Sequence, residues 1–122
     1  MIGMPENIVI LNPLYRGDSR EYTLSFTKND GSKIPITGWK IYFTLKKYAW
    51  KADIDADLKK DITVHSNPLE GETKITLTTE DTKNLGMGIY NFDIQIKKAN
   101  GTVLTLLKGK LEIVPDITRR ID

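Results

Sequence analysis

The sequence predicts an all-β fold, a single antiparallel sandwich of about seven or eight strands with one short helix or helical turn. Three observations lead to this prediction. Apolar and polar residues alternate over strand-length segments, and turn-forming residues separate these segments at intervals of roughly 8–12 residues. The chain of 122 residues also has the size of one domain. We therefore expect one β-sandwich domain that spans residues 1–122.

The alternation is most regular in two segments. In residues 88–98 the even-numbered apolar side chains are predicted to face inward, and in residues 39–47 the odd-numbered ones are. The residues expected in the core are Trp39, Ile41, Phe43, Tyr90, Phe92 and Ile94. Further strands are expected at 22–27, at 61–66 around Ile62 and Val64, at 73–79 and at 102–114.

Turn and cap residues mark the ends of these segments. Asp30-Gly31 and Asn100-Gly101 supply the positive φ angle that tight turns require. Thr79 is expected to cap a short helix that ends before Gly86. In the last strand the apolar side chains change from even to odd positions, which predicts a bulge at Gly109.

Charge and composition argue against several classes of function. The chain carries 18 basic and 16 acidic residues. Because they are interleaved, we expect no basic surface for nucleic acid. No stretch approaches the roughly 20 apolar residues of a membrane-spanning helix, so we expect no membrane partner. Without cysteine, the chain has no disulfide, thiolate nucleophile or thiolate metal ligand.

One loop is a candidate metal site. Asp53, Asp55 and Asp57 have the spacing of the first three ligands in an EF-hand calcium loop. Leu58 and Val64 stand where that loop requires glycine and glutamate, which argues against a dedicated site. His65, the one histidine, has no partner in a recognisable catalytic motif. We therefore expect no metal, no cofactor and no enzymatic activity.

Residues 16–19 read Arg-Gly-Asp-Ser, a sequence known as a cell-adhesion signal in extracellular proteins. A structural explanation is available, because the motif lies just before the strand that begins near Glu21. Gly17 permits a sharp bend, and Asp18 can accept hydrogen bonds from the following backbone amides. We interpret Arg16, Gly17 and Asp18 as a structural turn, and adhesion as the weaker alternative.

Two other segments are candidates for intermolecular contacts. Ile8, Val9, Ile10 and Leu11 make residues 6–12 apolar on both faces. This strand is therefore expected to lie in the core or to be covered by another chain, as an assembly contact. In the irregular connection 47–60, the aromatic residues Tyr48 and Trp50 are candidates to face a ligand, although packing over the end of the sandwich explains them equally well.

Several short motifs follow one another along the chain: Arg16-Gly17-Asp18, Asp30-Gly31, Thr37-Gly38-Trp39, Thr79-Glu80-Asp81-Thr82, Gly88-Ile89-Tyr90 with Asp93, Gly109 and Asp116-Ile117-Thr118. Through these motifs, residues 14–120 resemble the domain found at the N-terminus of phage baseplate upper proteins. Each motif is short, and their order and spacing together make the likeness specific. In this family the Arg-Gly-Asp element recurs as a turn that leads into a strand.

The resemblance implies an immunoglobulin-like sandwich that serves as a structural module of a tailed-phage or prophage virion. Such a module would be made in the cytoplasm of the bacterial host and would reside in the tail or baseplate. Its partners would be neighbouring virion proteins, and it could also associate with itself. The alternative is a host-facing sandwich that binds a receptor or a carbohydrate.

Overall fold

The computed structural model describes residues 8–48 and 56–115, which form two β-sheets. The strands are β1 (Ile8–Ile10), β2 (Leu14–Tyr15), β3 (Arg20–Ser25), β4 (Lys40–Lys46), β5 (Leu58–Ile62), β6 (Glu72–Leu77), β7 (Gly88–Lys97) and β8 (Val103–Val114). A 3₁₀ turn (Pro68–Glu70) precedes β6, and a one-turn helix, α1 (Thr79–Thr82), follows it. The prediction of an all-β fold with about eight strands and one helical turn is confirmed.

The order of the strands is that of an immunoglobulin-like sandwich. The larger sheet runs β1-β8-β7-β4-β5, with β2 also paired to β8, and the smaller sheet consists of β3 and β6. In the immunoglobulin fold, strands B and E are neighbours in one sheet, and strands C, F and G form the other. Here β3 and β6 correspond to B and E, and β4, β7 and β8 correspond to C, F and G. Tyr90, near the start of β7, donates a hydrogen bond from its hydroxyl to the carbonyl oxygen of Gly86 at 2.8 Å. A tyrosine corner of this kind is typical of the fold.

The sequence predicts a wholly antiparallel sandwich, but the structure also contains parallel strand pairs. β1 and β2 both pair in parallel with β8, with Val9 opposite Gly109 and Leu14 opposite Ile113. A parallel pair needs a long connection, and here most of the chain lies between β2 and β8. The N-terminal strands therefore reach the last strand without the hairpin that would make them antiparallel.

The core lies between the two sheets, and its residues follow the predicted alternation. Of the six residues expected there, Ile41, Phe43, Tyr90, Phe92 and Ile94 are buried. Trp39 is half-buried instead: it lies at the margin of the core, with its ring edge-on to Phe26 at 5.5 Å. It precedes β4, so the inner face of the sheet does not enclose it fully.

Two predicted turns are present, whereas the predicted helix cap was wrong by one residue. Gly31 and Gly101 have φ angles of +88° and +92°. The helix is capped by Thr78 rather than Thr79, because Thr78 is the residue with extended backbone whose side chain accepts the Asp81 amide.

The bulge in β8 lies near Leu106, not at Gly109. Ile94 pairs with Leu107 and Gln95 with Thr105, so the extra residue is Leu106. Gly109 has a different role. A Cβ atom there would overlap the main-chain oxygen of Val9 and come within 2.5 Å of the Phe92 ring. Only glycine lets β1 and Phe92 approach β8 this closely.

Strand β5 begins and ends earlier than the predicted 61–66. It pairs with β4 from Leu58 opposite Leu45 to Ile62 opposite Ile41. Because β4 begins at Lys40, little partner strand remains beyond Ile62. Val64, expected to face inward, is 85% exposed.

We expect Phe92→Ala to lower the free energy of unfolding by about 3–5 kcal/mol, because Phe92 is buried and its ring packs 5.5 Å from that of Phe43. Ile89→Ala, on the exposed face of the same strand, is the control and should cost at most about 0.5 kcal/mol. Urea denaturation measures both. Equal losses of unfolding free energy for the two variants would contradict the assignment of Phe92 to the inner face of β7 and of Ile89 to its outer face.

Candidate functional site

The Arg-Gly-Asp segment forms a tight turn directly after β2. Gly17 has a φ of +90°, in the left-handed region that favours glycine, and a Cβ atom there would meet nothing within 4 Å. Glycine is therefore required here by the left-handed backbone conformation and not by a lack of room for a side chain. The Asp18 amide donates to the carbonyl oxygen of Tyr15 at 3.0 Å and closes the turn, while the Arg16 amide donates to Val114 at the end of β8.

A buried threonine ties this turn to α1. The hydroxyl of Thr82 accepts the Gly17 amide at 3.1 Å and donates to the carbonyl oxygen of Asp18 at 2.8 Å. Thr82 is fully buried, so both hydrogen bonds are shielded from water. We call this arrangement of Thr82, Gly17 and Asp18 the turn lock.

The turn lock differs from the expectation for Asp18. The expected hydrogen bonds ran from backbone amides to its carboxylate. In the described part of the chain, the hydrogen bonds of Asp18 run through its main chain, and the residue is exposed. Thr82 gave no sequence signal of this role, since a threonine at the end of a short helix resembles any other helix residue.

Helix α1 is in turn fixed to the larger sheet. Asp81 accepts the Thr78 amide at 2.8 Å as part of a capping box, and the same oxygen accepts the Lys60 ammonium of β5 at 2.8 Å. Burial alone would raise the pKa of the Asp81 carboxyl. The hydrogen bonds from Lys60 and Thr78, together with the Lys60 charge, outweigh burial and hold that pKa below its ordinary value of 3.8.

His65 has a structural arrangement. Its Nε2 lies 2.8 Å from the carbonyl oxygen of Trp39, which can only accept, so Nε2 carries the proton. Its Nδ1 lies 2.8 Å from the hydroxyl of the buried Thr73. Both ring nitrogens are thereby hydrogen-bonded, and His65 joins the start of β4 to β6.

The residues of the candidate calcium loop are only partly placed. Asp53 and Asp55 lie outside the described residues, as does Trp50. Asp57 accepts the Lys47 amide at 2.7 Å and donates its own amide to Leu45. Among residues 8–48 and 56–115, no group of three or more acidic or histidine side chains is arranged to hold a metal ion. Tyr48, the described member of the aromatic pair, is exposed.

The N-terminal apolar segment divides between two environments. Leu11 packs against the core and donates its amide to Lys110 at 3.0 Å. Ile10 lies opposite Lys110 on the outer face of the larger sheet and is 70% exposed. Val9 lies opposite Gly109 and is 37% exposed, and the side chain of Ile8 lies outside the described set.

Ile10 is one of four exposed apolar residues that we together call the outer patch: Ile10, Tyr15, Met87 and Ile89. The last three are each 57% exposed. On the outer face, Lys110 and Glu112 of β8 lie between Ile10 and Ile89. Tyr15 lies opposite Val114 and Ile89 opposite Glu112, so β2, β8 and β7 bring them to one end of one face. Met87 lies just before β7, two residues ahead of Ile89. From the sequence Ile10 is recognisable as part of an apolar run, whereas the other three are not, because isolated apolar residues at strand ends give no pattern.

A polar pocket of about 260 Å³ lies beside the outer patch on the same face. It is lined by Thr44, Lys46, Asn91, Phe92, Asp93, Lys108, Gly109 and Lys110. The Lys110 ammonium donates to the Asn91 side chain at 2.8 Å, which holds this lysine along the sheet. The outer patch therefore has a predominantly basic border on this side.

A second apolar area lies at the open edge between the two sheets, and we call it the edge groove. It has a volume of about 420 Å³ and is lined by Leu24, Ser25, Phe26, Thr27, Ile34, Trp39, Ile96, Lys98, Leu104, Leu106 and Leu107. One wall comes from the end of β3 and the other from the beginning of β8.

No known protein family matches the chain, and no curated protein matches it. Among the described residues, no helix has the length and hydrophobicity needed to cross a membrane.

We expect Thr82→Val to lower the free energy of unfolding by about 1–3 kcal/mol, because it leaves the Gly17 amide and the Asp18 carbonyl without their buried partner. Thr82→Ser keeps the hydroxyl and should therefore lose less stability than Thr82→Val. Asp18→Ala should change stability by at most about 0.5 kcal/mol. Thermal and urea unfolding test this set, and a loss for Asp18→Ala as large as for Thr82→Val would mean that the carboxylate holds the turn.

The lowered pKa of Asp81 predicts a specific acid sensitivity. Since the folded-state pKa lies below the unfolded value, the ionised carboxylate stabilises the fold above pH 3.8, and this contribution is lost as the pH falls through the folded-state pKa. Asp81→Asn should therefore be less stable than the parent at pH 7, and the difference should shrink in acid. Asp61→Asn, at an exposed position of β5, is the matched control. A constant difference between Asp81→Asn and the parent across this pH range would refute the assignment.

Proposed function

We propose that this protein is a structural module of a tailed-phage or prophage virion, which docks to a neighbouring tail or baseplate protein through the outer patch. The sequence resemblance supports the virion setting. The exposure of Ile10, Tyr15, Met87 and Ile89 on one sheet face is the observation that carries the docking role.

The outer patch has the physical properties of a contact surface. Its side chains project from neighbouring strands of one sheet, so they are held in a fixed arrangement before a partner arrives. Burying a large apolar side chain fully contributes about 1.5–3 kcal/mol, and these residues are more than half exposed. Exposed apolar clusters with a polar border are typical of interaction sites.

The contact does not need to be strong in isolation. Tail and baseplate proteins occur in several copies around a symmetry axis, which repeats each contact. Linked contacts act at high effective concentration, so a patch that binds weakly in the free domain becomes effective in the particle. In this proposal the module acts by binding alone, with no catalytic group and no cofactor.

Particles released from a host that carries the gene provide the test. The protein should be found in purified particles at the tail or baseplate by mass spectrometry and immunogold labelling. Ile10→Asp and Ile89→Asp should each reduce its incorporation by about tenfold or more, since a charged carboxylate would replace an apolar side chain that the contact buries. Val64→Asp, at an exposed apolar position outside the outer patch, is the matched control and should leave incorporation unchanged.

The outcomes separate the two parts of the proposal. Thermal melts must first show that the three variants fold as the parent does. Absence of the parent protein from particles would refute the virion role. Normal incorporation of Ile10→Asp and Ile89→Asp would refute docking through the outer patch. Light scattering of the isolated domain at high concentration shows whether the same variants abolish self-association, which would identify a second copy as the neighbour.

A further inference from the structure

The outer face of the larger sheet concentrates basic side chains. Strand register places six lysines and three acidic residues on this face, because the residues next to them along each strand point inward. No two of these lysines are adjacent in the sequence, so the pleat of the sheet brings them together. We call this surface the basic face; its charged residues are Lys40, Lys46, Lys59, Lys97, Lys108 and Lys110, with Asp61, Asp93 and Glu112.

Two of the lysines lie directly opposite each other. Lys40 at the start of β4 pairs with Lys97 at the end of β7, and both side chains are exposed. Residues that face each other in an antiparallel pair have Cβ atoms about 4.5–5.5 Å apart, and like charges at that separation destabilise the sheet. The next residue in this row is Val103 of β8, which compensates neither charge. The fold therefore retains a repulsive pair where a glutamate at either position would be stabilising.

The acidic residues of the chain do not neutralise the basic face. Among the described residues, no carboxylate forms an ion pair with Lys40, Lys59, Lys97 or Lys108. The residues outside the described ranges contain five acidic and three basic side chains, and this negative excess is smaller than the positive excess of the face. The face therefore keeps a positive charge that a partner can complement.

The arrangement of the charges fits a protein partner better than a nucleic acid. Asp93 lies opposite Lys108, and Asp61 follows Lys59 by two residues on the same strand. A phosphate backbone carries one charge about every 3.4 Å along each strand, so it would meet these carboxylates as well as the lysines. A protein surface can place acidic groups against the lysines and neutral or basic groups against the aspartates.

The basic face is continuous with the outer patch, since Ile10 lies opposite Lys110 and Ile89 lies opposite Glu112 on the same side of the sheet. We propose that the protein that docks on the outer patch extends across the basic face, presents an excess of acidic side chains to it and places a carboxylate between Lys40 and Lys97. The apolar residues contribute burial, and the lysines select and orient an acidic partner. This inference rests on the proposed function, because it names the chemistry of the docking partner.

Stability and incorporation should change in opposite directions in one variant. Lys97→Glu turns the repulsive pair with Lys40 into an attractive one, so it should raise the Tm of the full chain by about 1–4 °C. In released particles, Lys97→Glu and Lys108→Glu should each lower incorporation by about threefold or more, and the double variant by about tenfold or more.

Lys74→Glu is the matched control, because Lys74 is exposed on the outer face of the smaller sheet and the substitution changes the net charge equally. It removes the ion pair of Lys74 with Glu21, so it should lower the Tm slightly. Incorporation should stay within about twofold of the parent.

Titration of the full chain with poly-L-glutamate tests the basic face without particles. The polymer should shift the backbone amide NMR signals of residues 40, 59, 97 and 108 in a saturable manner, and binding should weaken as salt rises above about 0.1 M. Lys97→Glu should weaken this binding more than Lys74→Glu does. Duplex DNA is titrated in parallel.

The failures are distinguishable. A lower Tm for Lys97→Glu would show that a carboxylate of the chain itself already pairs with this lysine, and would overturn the proposal. Equal effects of Lys97→Glu and Lys74→Glu would reduce it to net charge, and tighter binding of DNA than of poly-L-glutamate would make nucleic acid the ligand. Normal incorporation of Lys97→Glu together with loss of Ile89→Asp would refute the basic face alone, whereas absence of the parent protein from particles would refute the proposed function.

Discussion

In the part of the chain that the structure describes, the packing depends on one constraint: a sheet of two strands must cover the inner face of a sheet of six. Neighbouring strands are about 4.8 Å apart, so β3 and β6 can cover only the central part of the larger sheet. The remaining cover comes from segments outside β3 and β6, among them Ile36 and Leu85, both of which are buried. Ile36 and Leu85 lie in irregular connections, where their main-chain groups cannot rely on a sheet for hydrogen bonds.

This constraint explains why polar residues are buried in such a small core. Irregular backbone placed against the core must find partners for its amides and carbonyls. Thr82 supplies hydrogen-bond partners for the turn at Gly17, and His65 supplies a hydrogen-bond partner for the carbonyl of Trp39. The Ile36 amide is satisfied by the carbonyl of Pro68 at 2.9 Å. The polar contacts are thus a consequence of closing a sandwich with loops.

The sequence predicts those parts of the structure that depend on local pattern. Alternation predicts which side chains of β4 and β7 point into the core. The turns at Gly31 and Gly101 are predicted because glycine readily adopts the positive φ angles observed there. The limits of β5 depend on where β4 begins, which is information from elsewhere in the chain. The bulge near Leu106 depends in the same way on the register with β7.

The candidate surfaces were harder to predict for the same reason. Ile10 could be found because it belongs to a continuous apolar run, whereas Tyr15, Met87 and Ile89 come together only through the pairing of β2, β7 and β8. The edge groove is visible only once the strands of each sheet are known. From the sequence, Leu104 and Leu106 are ordinary members of an apolar strand.

The Arg-Gly-Asp turn connects the structural and functional parts of the molecule. Its main-chain groups are bound by β2, by β8 and by α1, and α1 is bound through Asp81 to Lys60 of β5. Tyr15, whose carbonyl oxygen accepts the Asp18 amide, belongs to the outer patch. The hydroxyl of Thr82 therefore fixes the turn that holds Tyr15 in place. A motif that resembles an adhesion signal acts here through its backbone, and in the proposed docking role it positions a neighbouring aromatic side chain.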